Sequence, residues 1–151
     1  MLTKFIMTNP KKIFIDTSAW IDLILTGERY HQQISSYLIS EVKRGSKFFT
    51  SDYVLDETYT RFITGQSFKS AKKLKTQVNE LERQKQLLVL WTNEIVFNKA
   101  WDLFEKFSEH KLSFTDATIT AFIKDLKIDE ILTLDQGFTK IGLNTKPRIK
   151  L

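Results

Sequence analysis

A regular alternation constrains this chain more than any other feature. Four short apolar runs are separated by longer stretches whose apolar residues recur every three or four positions. The runs are Ile13-Phe14-Ile15, Lys47–Thr50 (KFFT), Leu87–Trp91 (LLVLW) and Glu130–Leu134 (EILTL). Such runs are too short for helices and predict buried strands. The longer stretches predict amphipathic helices. This order points to an α/β fold: a three-layer sandwich with a central, mostly parallel sheet, flanked by helices and joined by right-handed crossovers. The 151 residues suit one such domain.

Element boundaries follow from caps and breakers. Residues 1–11 form a leader, expected to be flexible, and residues 12–151 the domain. Thr17 or Ser18 caps a first helix that stops at Gly27. Ile34, Tyr37, Leu38 and Val42 mark a second helix, ended by Gly45. Ser51-Asp52 opens a third, striped by Val54, Leu55, Tyr59, Phe62 and Ile63 and closed by Gly65. Residues 68–86 predict a lysine-rich helix with a thin seam at Leu74, Val78 and Leu81. Asn93 or Thr92 caps the next, with Val96, Phe97, Ala100, Leu103, Phe104 and Phe107 inward. Thr115 caps another, apolar almost all round and therefore central. A helical turn around Phe138–Ile141 precedes a last strand near Pro147–Leu151.

Several function classes fall away. There is no Cys, hence no disulfide framework and no thiolate chemistry. The first ten residues lack the apolar core and cleavage site of a signal peptide, and no apolar run approaches the roughly 20 residues needed to span a bilayer. A cytoplasmic location is expected. The net charge of +5, from 23 basic and 18 acidic residues, is compatible with a polyanionic partner. His31 and His110 lack a second His at i+4. There is no glycine-rich phosphate loop and no G-x-S-x-G elbow. A phosphatase with paired aspartates after its first strand would need an acid where Ser18 stands.

The informative residues are acids. The first strand runs straight into Asp16 and the fourth into Asp135. Asp116 lies in the first turn of the central helix, and Glu57 early in the helix after the second strand. An acid before or at the start of a helix is ordinarily a cap or a partner of the helix dipole. Here four of them map to one edge of the sheet, where the carboxyl ends of parallel strands gather function. Two carboxylates about 4 Å apart repel by roughly 4 kcal/mol at an effective dielectric near 20. A group of four calls for protonation, separation or a cation. Hard oxygen ligands suit Mg²⁺ or Mn²⁺.

The stretches FIDTSAWIDLIL, SDYVLDETYT, SFTDATITAF and ILTLDQGF resemble the four acidic motifs of PIN domains, and most of all the VapC-type ribonuclease toxins of toxin–antitoxin pairs. The resemblance runs from about Lys12 to the end. It implies a five-stranded parallel sheet with the first strand at its centre, and Mg²⁺- or Mn²⁺-dependent RNA cleavage. It also implies a homodimer and neutralisation by a small antitoxin. Asp16, Glu57, Asp116 and Asp135 match the catalytic, metal-binding acids, and Ser18 and Thr133 the hydroxyls behind them. Asp22, Asp52 and Asp56 fall off the motifs and are expected to be solvated or capping. Lys43, Arg44, Lys69, Lys72 and Lys73 are candidate RNA contacts, although a lysine run is commonly only a solvated helix face. Two other functions fit the same sequence: an RNA-processing PIN nuclease with no antitoxin, and a catalytically silent module that binds RNA or protein.

Overall fold

Ile13, Phe14 and Ile15 are almost wholly inaccessible to solvent, as only a strand covered on both faces allows. The computed structural model describes residues 9–65 and 67–148 and places this strand, β1 (Lys12–Ile15), at the centre of a five-stranded sheet. The others are β2 (Lys47–Ser51), β3 (Leu87–Leu90), β4 (Glu130–Leu132) and β5 (Thr145–Lys146). Their order is β3-β2-β1-β4-β5, and every pairing is parallel. Register is set by Phe14 opposite Phe49 on one side and Ile131 on the other.

Helices α1 (Thr17–Ile24) and α2 (His31–Arg44) cross from β1 to β2, and α3 (Asp52–Gly65) and α4 (Phe68–Arg83) from β2 to β3. Helices α5 (Glu94–Lys106) and α6 (Phe114–Leu126) return to β4, and α7 (Gly137–Lys140) leads to β5. The chain steps outward from β1 to β3, then jumps back to β4. With right-handed crossovers this puts α1–α4 on one face and α5–α6 on the other. Trp20, Phe14, Phe48, Phe62 and Phe138 are the bulkiest fully buried side chains.

The expected helices are present, with local corrections. The first ends at Ile24, with Leu25 as its C-cap, rather than at Gly27. Gly45 adopts the left-handed conformation (φ 86°) that closes α2. Ala71 joins Leu74, Val78 and Leu81 in the buried seam of α4. Asn93 caps α5 by accepting from the Val96 N–H at 2.9 Å. Seven consecutive residues of α6, Ala117–Ile123, are buried, and its cap is Ser113, not Thr115. On α5 only Ala100 is fully buried. The inward face expected there is half open, because α5 packs chiefly on α6 and has no second layer above it. Phe97 remains 43% exposed while touching Phe114 at 4.8 Å between ring centres. The last strand pairs Thr145 and Lys146, short of the expected start at Pro147, and residues 149–151 lie outside those described.

The expected leader lies largely outside the described residues. Lys11 already belongs to the fold: its N–H donates to Ser46 Oγ at 2.9 Å, and its carbonyl accepts from the Lys47 N–H. Among the described residues no helix is long and apolar enough to cross a membrane.

Candidate active site

Asp16 occupies the N-cap position of α1, yet its side chain makes no capping hydrogen bond. Its oxygen Oδ2 instead accepts from the Thr133 hydroxyl at 2.7 Å, across 117 residues of sequence. The β1–β4 register makes this contact: Ile15 lies opposite Leu132, and the Asp16 N–H donates to the Leu132 carbonyl at 3.0 Å. Thr133 is held in turn. Its hydroxyl oxygen accepts from the Asp135 N–H at 3.0 Å and lies 3.3 Å from Ser18 Oγ. Ser18 Oγ accepts from the Leu134 N–H at 2.9 Å. The two hydroxyls picked out in the sequence thus stitch the ends of β1 and β4 together beneath Asp16.

Asp16 is 6% exposed. Burial pushes its carboxyl up to about 7, against the pull of the Thr133 hydroxyl and the Thr17 N–H. The negative charges of Asp116 and Glu57 add to the rise. Asp116 is also raised, first by burial and then by Asp135 and Glu57, with the Ser113 N–H opposing. Each of the four acids is therefore within electrostatic reach of at least one other.

They do not form a closed cage. Among the described residues no three acidic or histidine side chains are gathered tightly enough to hold a metal ion as they stand. Local partners explain the spread. Asp116 completes a capping box, with Oδ2 accepting from the Ser113 N–H at 3.1 Å and its own N–H donating to Ser113 Oγ at 3.0 Å. Asp135 Oδ1 accepts from the Gly137 N–H at 2.8 Å. A β-carbon at residue 137 would sit 3.0 Å from that oxygen, so any larger residue there would make the Asp135 carboxylate yield by a few tenths of an ångström. Glu57 Oε1 pairs with Arg61 at 2.9 Å, and its Oε2 accepts from the Thr17 hydroxyl at 3.4 Å. Thr17, expected only as a cap, is thus a bridge between the Asp16 turn and α3.

Other acids sit differently from expectation. Asp22 is buried, not solvated; burial raises its carboxyl, and Oδ2 accepts from the Tyr30 N–H at 3.3 Å to fasten the loop before α2. Asp52 receives both the N–H and the hydroxyl of Thr92, tying the start of α3 to the end of β3. Asp56 is exposed, as expected.

The candidate RNA contacts are scattered. Lys43 and Arg44 end α2, beside the beginnings of the strands and at the opposite end of the sheet from Asp16. Arg44 there pairs with Glu41 at 3.6 Å. That end holds a second acidic pair, Glu41 and Glu130, both 3% exposed. Lys11 lies 3.2 Å from Glu130 and 3.9 Å from Glu41, and Lys146 lies 3.9 Å from Glu130. Tyr37 donates its hydroxyl to Glu130, and Ser46 donates to Glu41 at 2.7 Å. Lys69, Lys72 and Lys73 are exposed on the first half of α4. Lys72 borders a cleft of about 450 Å³ between α3 and α4, lined also by Tyr59, Ile63, Phe68 and Lys75.

A parallel sheet ordered in this way, with acids at the carboxyl ends of its two central strands, defines an α/β domain of PIN type. The sequence matches the PIN domain family model over residues 13–143, and the chain belongs to that family. Its fold resembles that of VapC20 from Mycobacterium tuberculosis, a sarcin-ricin loop cleaving toxin. The two share 24% identity at a TM-score of 0.75, over 87% of this chain and 95% of that one. VapBC2 from Rickettsia felis, solved with a DNA fragment from its promoter, is 12% identical at a TM-score of 0.65, covering 89% and 97% of the two chains. FitAcB from Neisseria gonorrhoeae is 14% identical at 0.62, covering 88% and 95%. A search of curated protein sequences returns no match.

Proposed function

We propose that this protein is a divalent-metal-dependent endoribonuclease that hydrolyses RNA phosphodiesters, the toxin of a type II pair held in check by a small antitoxin. One observation carries the catalytic part: Asp16 is buried at the tip of the central strand with further acids around it and, among the described residues, no Lys or Arg side chain within 4.0 Å. Left unmatched, such a group would be neutral well into the physiological range. A divalent ion would make it an anion. The donor set is carboxylate and hydroxyl oxygen throughout, with neither nitrogen nor sulfur, and suits Mg²⁺ or Mn²⁺.

Asp16, Asp116 and Asp135 would hold the ion, with Glu57 holding a second or orienting the attacking water. When bound, the metal supplies a water of lowered pKa and stabilises charge developing on the phosphoryl oxygens. Thr133 fixes the orientation of the Asp16 carboxylate through its 2.7 Å bond, and Ser18 braces Thr133. Burial excludes bulk water from Asp16, which strengthens its grip on a cation. Attack by water leaves a 5′-phosphate and a 3′-hydroxyl.

The toxin reading rests on the fold shared with VapC20, VapBC2 and FitAcB. A homodimer is part of the same proposal. The test is to map RNA ends after inducing the wild type and Asp16→Asn side by side. New ends bearing 5′-phosphates in the wild type alone, suppressed by EDTA, support the reading. Cyclic 2′,3′-phosphates, or undiminished cleavage by the variant, refute it. Relief of toxicity by a small protein encoded beside this one would separate a toxin from an RNA-processing nuclease.

A further inference from the structure

We propose that Arg61 is a resident counter-ion of the acidic edge: it holds Glu57 back from the divalent cation until a substrate phosphodiester draws the guanidinium away. Metal loading and RNA binding would then be coupled through one ion pair. The inference rests on the nuclease reading above and adds a regulatory element to the same site.

Three of the four acids are held by neutral donors. Asp16 has the Thr133 hydroxyl, Asp116 the Ser113 N–H and Asp135 the Gly137 N–H. A neutral donor leaves a carboxylate its full charge and spare lone pairs, so none of these contacts opposes a metal ion. Glu57 differs. Its Oε1 accepts from a positively charged group, Arg61 Nη2 at 2.9 Å, and its Oε2 accepts from the Thr17 hydroxyl. Among the described residues Arg61 is the single Lys or Arg side chain within 4.0 Å of any of the four acids. It therefore both occupies one prospective ligand and repels the cation that the others attract.

The pair is also built to be exchanged. Glu57 and Arg61 stand four residues apart on α3, and their side chains are 36% and 57% exposed. An ion pair this open to water is held weakly. A phosphodiester offers the planar guanidinium a better partner, because two N–H groups can meet two phosphoryl oxygens at once. Drawing Arg61 onto the RNA frees Glu57 for the metal. By reciprocity, metal on Glu57 frees Arg61 for the RNA.

The test is binding, not turnover. Mn²⁺ is titrated calorimetrically into the full-length wild type, Arg61→Met, Arg61→Lys, Glu57→Gln and the double variant Glu57→Gln/Arg61→Met. The expected result is about three- to tenfold tighter Mn²⁺ binding in Arg61→Met, near-wild-type binding in Arg61→Lys, and a much smaller Arg61→Met effect once Glu57 is replaced. In EDTA, Arg61→Met should bind a short single-stranded oligoribonucleotide severalfold more weakly, with the salt slope reduced by about one. Unchanged Mn²⁺ affinity in Arg61→Met overturns the proposal, and so does an equal change in the Glu57→Gln background. Unchanged oligonucleotide affinity overturns its substrate half. The nuclease reading fails separately, if the wild type binds no Mn²⁺ or Asp16→Asn binds it as well as the wild type does.

Discussion

The two ends of the sheet bury acids in opposite ways. Where the strands begin, Glu41 and Glu130 are as inaccessible as Asp16, but Lys11, Lys146 and Arg44 stand over them and two hydroxyls donate to them. Where the strands end, Asp16 has one hydroxyl, one backbone N–H and further acids for company. A buried charge is therefore no sign of function by itself. The first pair is compensated and belongs to the architecture. In the second group Arg61 pairs with Glu57, while Asp16 is buried with no Lys or Arg side chain within 4.0 Å among the described residues, which costs stability wherever it ionises.

Asp16→Asn should separate the ends most sharply. RNA cleavage is expected to fall by roughly a thousandfold, about 4 kcal/mol of barrier, while the fold without metal becomes more stable. The sign follows from the raised carboxyl. Below pH 4 it is protonated whether folded or not and contributes nothing. Between 3.8 and about 7 the unfolded chain ionises first, so stability drains away as pH rises. Above pH 7 the penalty levels off near an upper bound of about 4 kcal/mol, at 1.36 kcal/mol per pH unit. Urea melts in EDTA should show the variant gaining on the wild type from pH 5 to pH 8. A constant gap would break the comparison.

Glu130→Ala probes the other end. Breaking a buried, matched cluster is expected to cost about 3 kcal/mol in urea denaturation, while purified folded protein keeps its metal affinity. Millimolar Mg²⁺ should raise the melting temperature of the wild type by the equivalent of about 1–3 kcal/mol, leave Asp16→Asn unmoved, and act on Glu130→Ala as on the wild type. The smallest effects come from the supports. Thr133→Val removes one donor from Asp16, and about 1 kcal/mol of stability is expected to go with it, together with a loss of cleavage out of proportion to that change. Gly137→Ala should shift Asp135 by the few tenths of an ångström its oxygen must yield, lowering cleavage modestly with little change in melting.

Much of the sheet was legible because parallel strands leave short apolar runs: IFI is buried throughout, whereas LLVL, on the sheet edge, was expected to be buried but fully buries only Leu87 and leaves Leu88 exposed. β5 left no such trace: two residues, Thr145 and Lys146, pair by backbone alone. The acids were legible by position, since Asp16 and Asp135 follow apolar runs directly. Their separate local partners were not, because a capping box at Ser113 and a turn at Gly137 look the same in sequence whether or not a site lies beside them. Lys43 and Arg44 lie at the far end from Asp16 for a topological reason the sequence did not display: α2 runs back to the start of β2, so its last turn lies far from the carboxyl ends of the strands. Glu41 and Glu130 gave no warning at all. A glutamate beside lysines in sequence looks like surface, and only the packing of Tyr37 and Lys11 over it shows otherwise. On α5, aromatic spacing suggested a buried face, but the fold provides no second layer to cover it.

The 117-residue span between Thr133 and Asp16 also governs when the acidic edge can assemble as the chain folds. Thr133 and Asp135 follow every helix and strand up to β4, Asp116 follows β3 and α5, and closing so long a loop comes late in folding. A ribosome-borne fragment that has finished three strands and four helices carries Asp16 and Glu57 but nothing to complete them. On the proposed nuclease reading, such a fragment would lack most of the ligands for an ion and would leave the RNA around it uncut.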